Sequence, residues 1–417
     1  MFCLYSTSSN TILTYWTGAP GVPVNGSSFT GHTQFDVAAQ PISVDAVYDG
    51  QTVVHVLINL TNGSLYDYPF DLDTNTYKPA KLLSSGNPVR TVLPIGTAGV
   101  SGMFGGDGTL NIAYWSRGDA QSGEHVSYVS YTYDKARDVL AIKDGPTQLD
   151  ASGEKSNHPC LVVSPLNGDL IVAWVNQLSS PPHIMARIRT ATGWGSETIV
   201  SNPATRVWTD DSGLGLNADQ GPSMVVTSDG KVHLAYAEES YAGDATGSPS
   251  SSDYGRAHYV TYTPQTGWID TKVYSVVNGV HYFYLTHDPS LTTDSSDQIY
   301  LLGHSMWNNL SPCTPTDNTI NCYLKLDGNG TWTAPQQVVD AAGNANPPSS
   351  EKFDDSISMK WSVVGWNRPE LVEFAFFSGN TSNYWNMNLY YGTLGLSAAT
   401  STYTDPGNQI VRRERRR

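Results

Sequence analysis

Charge is scarce in this chain. Of its 417 residues only 15% are Asp, Glu, Lys or Arg, against roughly 25% in an average soluble protein. Cysteine is scarcer still: Cys3, Cys160, Cys313 and Cys322 are too few for a disulfide scaffold, and none shares with a histidine the spacing of a zinc site. No run of about 18 apolar residues occurs, which excludes a membrane-spanning helix. The first residues, M-F-C-L-Y-S-T-S-S-N-T, lack the basic start and apolar core of a signal peptide; either export is not encoded in this stretch or the numbering begins after processing. Helix formers give way to turn and strand residues: 38 Gly, 24 Pro, 24 Tyr, 11 Trp and 10 Phe. This mixture argues against a helical bundle, a coiled coil and a doubly wound α/β enzyme, and leaves an all-β chain.

The charge that is present is mostly acidic, for a net −15. Such a body repels nucleic acid and anionic membranes over most of its surface, so neither is an expected partner. The exception is the end, where Arg412, Arg413, Glu414, Arg415, Arg416 and Arg417 form a basic tail. It reads as a solvated terminus, a partner-binding arm, or the stub of a basic processing site. Cys313 and Cys322 lie nine apart in S-P-C-T-P-T-D-N-T-I-N-C, a stretch reading as one loop. A bridge between them would add roughly 2–3 kcal/mol by loop closure and imply an oxidising compartment; two free thiols are the alternative. Cys3 and Cys160 read as small buried apolar residues. Sequons stand at Asn25, Asn59, Asn62, Asn309, Asn329 and Asn380, about the number that chance alone yields at this composition, and they are candidate glycosylation sites only if the chain is secreted.

The organising pattern is a repeat. Five segments read apolar strand, tight turn, apolar strand: P-I-S-V-D-A-V-Y-D-G-Q-T-V-V-H-V-L from Pro41, then related stretches from Val100, His158, Gly221 and Asp288. A looser copy starts at Asp355. The turn residues Asp49, Asp107, Asn167, Asp229 and Asp297 follow one another at spacings of 58, 60, 62 and 68. Third strands follow at His125–Tyr133, His183–Arg189, His258–Tyr262, Cys322–Leu326 and Met387–Tyr391, and short fourth strands at Gly193-Trp194, Gly267-Trp268 and Thr331-Trp332. A unit of about 60 residues with four strands is the size of one propeller blade. The expected architecture is a single β-propeller over the whole chain, with units at about 41–96, 97–155, 156–218, 219–284, 285–352 and 353–395. Residues 1–40 and 396–411 together make a closing seventh blade, and 412–417 form the tail. Six blades with a decorated N-terminus is the alternative.

The Trp-bearing turns resemble degenerate Asp-box repeats of sialidase-like (BNR-type) propellers, whose pattern is S-x-D-x-G-x-T-W. The copy K-L-D-G-N-G-T-W matches at Asp327, Thr331 and Trp332, with Lys325 for Ser and Asn329 for Gly. The resemblance implies the propeller architecture. It implies no activity, since a sialidase needs three arginines converging on a carboxylate and the flanks of Arg117, Arg206 and Arg256 do not match that family's sites.

In such propellers the loops before strand 1 and between strands 2 and 3 gather on one face, and here they are the longer and more polar class. Aromatic rings beside carboxylates and amides suit sugar recognition, with ring faces on C–H groups and polar side chains on hydroxyls. The candidate ligand-binding residues are Trp208, Asp210, Asp211, Tyr282, Tyr284, His287 and Trp307, whereas Trp115 and Trp174 sit inside strand patterns and read as core. Weak catalytic candidates are Asp288, Glu238 and His287, because hydrolysis needs two facing carboxylates and a histidine can move a proton. Asp219, Glu239, Asp354 and Asp355 point to the same face. No cofactor is expected; Ca²⁺ held by this acidic cluster is the alternative, without a D-x-D-x-D-G loop to specify it. Three readings follow: an extracellular carbohydrate-binding propeller without catalysis, a structural subunit that self-associates through its termini, and a glycoside hydrolase or polysaccharide lyase.

Overall fold

The computed structural model describes residues 2–6, 11–17, 29–39, 41–60, 62–85, 99–117, 124–151, 156–176, 182–203, 221–238, 256–273, 276–277, 280–281, 285–294, 296–305, 320–333, 336–337, 371–379 and 387–395. Its contacts divide the chain into two compact units, 1–18 with 31–204 and 209–222, and 19–30 with 205–208 and 223–417. Among the described residues every element is a strand. In the first unit these are β1 (Phe2–Ser6), β2 (Thr11–Thr17), β3 (Phe29–Asp36), β4 (Pro41–Tyr48), β5 (Val53–Leu60), β6 (Ser64–Asp71), β7 (Thr76–Tyr77), β8 (Lys81–Ser85), β9 (Val100–Phe104), β10 (Thr109–Arg117), β11 (Glu124–Asp134), β12 (Val139–Gln148), β13 (Ser156–Val163), β14 (Leu170–Asn176), β15 (His183–Thr190), β16 (Gly193–Trp194) and β17 (Thr198–Ile199). The second unit holds β18 (Ser223–Val226), β19 (Val232–Glu238), β20 (Arg256–Thr263), β21 (Gly267–Lys272), β22 (Val276–Val277), β23 (Val280–His281), β24 (Leu285–Thr293), β25 (Ile299–Ser305), β26 (Ile320–Lys325), β27 (Gln336–Gln337), β28 (Leu371–Gly379) and β29 (Met387–Gly395).

Strands pair in sequence order within antiparallel sheets β4-β5-β6-β7, β9-β10-β11-β12, β13-β14-β15-β16, β18-β19-β20-β21 and β24-β25-β26-β27, with β8 and β17 added to the first and third. These are the blades of an all-β propeller. Strands β5 and β14 are buried along their whole length, which is why V-V-H-V-L-I-N-L and L-I-V-A-W-V-N read as near-continuous apolar runs instead of alternating.

Each blade opens with the same hairpin. The amide of Asp49, Gly105, Ser164, Thr227 or Asp294 donates to the carbonyl of Val53, Thr109, Asp169, Lys231 or Gln298, at 2.8–3.2 Å. The turn residue with positive φ is Gly50, Gly108, Gly168 or Gly230 in four blades, and Asp297 at φ 62° in the fifth. An L-residue there carries a cost that glycine avoids. The carboxylate of Asp297 has a second use, accepting the Ser228 amide at 3.0 Å and the Ser228 hydroxyl of the preceding hairpin.

Counting back four residues from the hairpin amide gives Asp45, Ser101, Cys160, Ser223 and Ser290. Three of these side chains lock a blade to its successor. Gly102 N–H donates to Asp45 Oδ2 at 2.8 Å, Leu161 N–H to Ser101 Oγ at 3.1 Å, and Leu291 N–H to Ser223 Oγ at 2.9 Å. Apolar packing fills the space behind them. Val47, Leu57, Val100, Leu110 and Ile112 form one inter-blade cluster of the first unit; Val225, Ala235, Leu291, Leu301 and Leu324 form one of the second. At the rim, Trp194 stands edge-on to Tyr128 and Trp332 to Tyr259, each with centroids 5.1 Å apart. Tyr128 and Tyr259 occupy the same place in the third strands β11 and β20, opposite Ala113 and Ala235. The K-L-D-G-N-G-T-W segment is a tight loop in which Asp327 Oδ1 accepts the Asn329 and Thr331 amides at 2.9 and 2.8 Å.

Registers also correct the sequence alignment of two histidines. His158 and His287 look equivalent before strand 1, but both lie inside strands that carry a bulge, β13 and β24. The register matches His287 to Asn157, and His158-Pro159-Cys160 to Asp288-Pro289-Ser290. Both bulges fall at the same distance from their hairpins, so counting back seven residues from Ser164 and Asp294 gives the same match.

Candidate functional site

The two ends of a blade treat buried polar groups differently. At the hairpin end they meet one another. Tyr128 Oη donates to Asn111 Oδ1 at 2.7 Å, His233 Nδ1 bonds the Tyr259 hydroxyl, and His55 Nδ1 lies 2.8 Å from Asp67 Oδ2. These pairs occupy one diagonal cross-strand position in three blades, and the corresponding residues of the β13–β17 blade, Ile171 and Ala186, are apolar. Burial holds the His233 imidazole down to a pKa of about 4, with Lys231 adding to the shift and Asp229 and Asp297 opposing it. This end is structural.

At the loop-bearing end the polar groups line up in rows. Register places Ser116 opposite His125, and Ser156 opposite Asn176 opposite His183. Directly opposed residues share a sheet face, so Ser156, Asn176 and His183 form one row across β13, β14 and β15. All three are buried, His183 at 8% exposure. His125 and His183 each open the third strand of their blade, yet their settings differ. His125 Nδ1 lies 3.0 Å from Asp150 Oδ2, whose other oxygen accepts the Val126 amide at 3.3 Å. In the next blade Ser201 takes that place, its hydroxyl accepting the Ile184 amide at 3.1 Å. Among the described residues no carboxylate pairs with His183, its Nδ1 has no hydrogen-bond partner, and burial lowers its pKa.

Asp150 ties the rows together. Burial raises its pKa, while the nearby Ser156 hydroxyl and His125 pull the other way. Ser156 Oγ itself stops short of hydrogen-bond geometry and is buried without a partner. Two residues before Asn176, and on the same side of β14, Trp174 is fully buried with its indole N–H also unpartnered. Beside the row, His158 holds φ 54° with its Nδ1 2.8 Å from Asn157 Oδ1. Gly221 comes up against it, and a Cβ at residue 221 would stand 2.7 Å from His158 Cβ. Likewise, a Cβ on Gly99 would stand 2.6 Å from Ser43 Oγ.

Of the residues singled out from the sequence, Trp208, Asp210, Asp211, Tyr282, Tyr284 and Trp307 lie outside the described residues, as do Arg206, Asp219, Glu239, Asp354 and Asp355. His287 and Asp288 lie in β24, and Glu238 ends β19 opposite Arg256. Arg117 ends β10 opposite Glu124. Cys322 lies in β26, while Cys313 is outside the described residues. Trp115 and Trp174 are buried, and Cys160 is a buried cysteine outside any disulfide. Asn62 and Asn329 are exposed in turns. Asn59 is corrected: it is 1% exposed and its Nδ2 donates to the Trp115 carbonyl at 2.8 Å, so its amide is committed inside the fold and unavailable to a glycan. Asn25, Asn309 and Asn380 are outside the described residues. Sequence reasoning missed the Ser156–Asn176–His183 row and the His125–Asp150 pair, although both histidines stand visibly at the head of third strands. Among the described residues, no group of three His, Cys, Asp or Glu side chains is placed to hold a metal ion, and no helix is long and apolar enough to cross a membrane.

No family model and no curated protein matches the chain. Solved structures do. A polysaccharide lyase described as an ulvan lyase of a new family is similar over 97% of this chain and 86% of its own, at 9% identity and a TM-score of 0.50. An α-L-arabinofuranosidase of Fusarium graminearum in complex with arabinobiose covers 75% of this chain and 81% of its own at 13% identity and a TM-score of 0.41. An α-L-arabinanase of Penicillium chrysogenum complexed with arabinobiose covers 73% and 80% at 13% identity and a TM-score of 0.40. At these identities the likeness is one of fold.

Proposed function

We propose that the chain is an extracellular saccharide-binding propeller that takes its ligand on the loop-bearing face. The observation that carries this reading is the row at the ends of β13, β14 and β15. Buried polar groups are almost always hydrogen-bonded in a finished interior, and leaving one unpaired costs about 1–3 kcal/mol. Here Ser156 Oγ and His183 Nδ1 are both unpaired within one row, at the end of the blade where the long loops leave. A ligand rich in hydroxyls supplies the missing partners, and the aromatic loop residues Trp208, Tyr282, Tyr284 and Trp307 suit its C–H faces. Under this reading the chain and the polysaccharide lyase of like fold work on the same class of molecule.

One observation favours a catalytic version. The Asp150 carboxylate fixes the tautomer and orientation of His125, which is how a general base is prepared. The deciding experiment presents the full chain to an array of neutral and acidic polysaccharides and assays the same glycans for new reducing ends and for unsaturated products. Binding without turnover is the expected result. Turnover abolished by His125→Ala would establish the hydrolase or lyase version, and failure to bind any glycan would remove the saccharide reading altogether.

A further inference from the structure

The row selects among saccharides. We propose that Ser156, Asn176 and His183 form a subsite for uncharged, adjacent sugar hydroxyls, and that the ligand at this point is a neutral saccharide and not a uronate or a sulfated sugar. This rests on the saccharide reading above and sharpens it.

The chemistry of the row is symmetric in donors and acceptors. A serine hydroxyl both donates and accepts, a carboxamide has an acceptor oxygen and a donor nitrogen, and a neutral imidazole has one of each. Sugar hydroxyls have the same dual character. Directly opposed side chains in a sheet start about 5 Å apart, so three in a row extend over about 10 Å, the width of one sugar ring with its substituents. A carboxylate or sulfate, by contrast, only accepts, and its recognition calls for guanidinium or ammonium groups. None stands in the row. Among the described residues, the carboxyl of Asp150 lies beside Ser156 and repels an anion. It is already engaged with His125 and the Val126 amide, so it polarises the site without blocking it. His183 is not a latent cation either, because its 8% exposure leaves little water to stabilise a charge.

The comparison between adjacent blades shows that the vacancy at His183 is built in. The same amide that is held by a carboxylate at Val126 is held by a serine at Ile184. That one change from Asp150 to Ser201 satisfies the backbone and leaves the imidazole nitrogen open.

The test is calorimetric titration of the full chain with neutral arabino-, xylo-, galacto- and gluco-oligosaccharides and with an oligouronide of equal length. A neutral oligosaccharide is expected to bind best. His183→Phe and Ser156→Ala should each weaken it about 5- to 10-fold, the loss of one hydrogen bond, and His183→Gln should recover most of the affinity. His233→Asn, at the hairpin end, should leave it unchanged. Preferred binding of the oligouronide overturns the proposal. Wild-type affinity in folded His183→Phe and Ser156→Ala also overturns it while leaving the saccharide reading intact, whereas no binding by any sugar removes both. Should His183→Phe not fold, Ser156→Ala alone carries the same decision.

Discussion

Three histidines of one residue type do three different things, and in each case the partner decides. His125 has a carboxylate, His183 has none, and His233 has a phenol and the Thr227 hydroxyl. The carboxylate and the phenol are both far in sequence: Asp150 is 25 residues from His125 and Tyr259 is 26 from His233. Composition and pattern therefore located the histidines but not their chemistry. Asn59 illustrates the same limit, since a sequon is local while the Trp115 carbonyl that occupies its amide is 56 residues away. His233 yields a prediction with a definite sign. An unfolded imidazole takes its proton near pH 6.5, whereas folded His233 resists until about pH 4. Between these values the unfolded chain binds more protons, so stability falls as pH drops through the window, by about 3 kcal/mol in full. In blade β9–β12 an asparagine, Asn111, holds the equivalent tyrosine. His233→Asn should therefore keep a partner for Tyr259 and remove this contribution. Urea unfolding at pH 4.5 and 7 should show a smaller gap in the variant; an unchanged gap would assign the acid sensitivity to other groups.

At the scale of elements, the strands and hairpins were legible because their signals are short-range. Turn residues Asp49, Asp107, Asn167, Asp229 and Asp297 sit where the sequence spacing puts them, and each second strand follows at once. The bulges in β13 and β24 were not legible. Nothing in H-P-C or D-P-S announces an extra residue. Equally hidden was the acceptor that locks one first strand to the next, since Asp45, Ser101 and Ser223 look like ordinary polar residues of an inner strand. Their role makes a prediction for the element. Removing the hydroxyl of Ser101 or Ser223 strands the Leu161 or Leu291 amide in a dry interior, at a cost of about 1–3 kcal/mol. Ser101→Ala and Ser223→Ala should each lower the urea midpoint by a corresponding amount. Substitution of exposed Thr192, a serine-sized hydroxyl on a turn, should not.

For the whole molecule, the period of about 60 residues was the strongest message in the sequence, and the β-propeller follows from it. What the period cannot convey is difference between copies. Blade β13–β17 departs from its neighbours twice, with Ile171 and Ala186 at the structural polar position and Ser201 in place of an acid, and the second departure creates the candidate site. Net charge acts at this same scale. A body at −15 repels acidic polymers at low ionic strength and is indifferent to neutral ones. Raising salt from about 0.01 M to about 1 M shrinks the reach of that repulsion from about 30 Å to about 3 Å. Affinity for a neutral oligosaccharide should then stay flat across the range, because its hydrogen bonds and ring contacts carry no net charge. Affinity for an oligouronide should start weak and improve with salt as repulsion is screened. A steep loss of binding with salt would reveal attraction to a cationic surface, such as the arginines at 412–417, and would move the ligand site away from the Ser156–Asn176–His183 row.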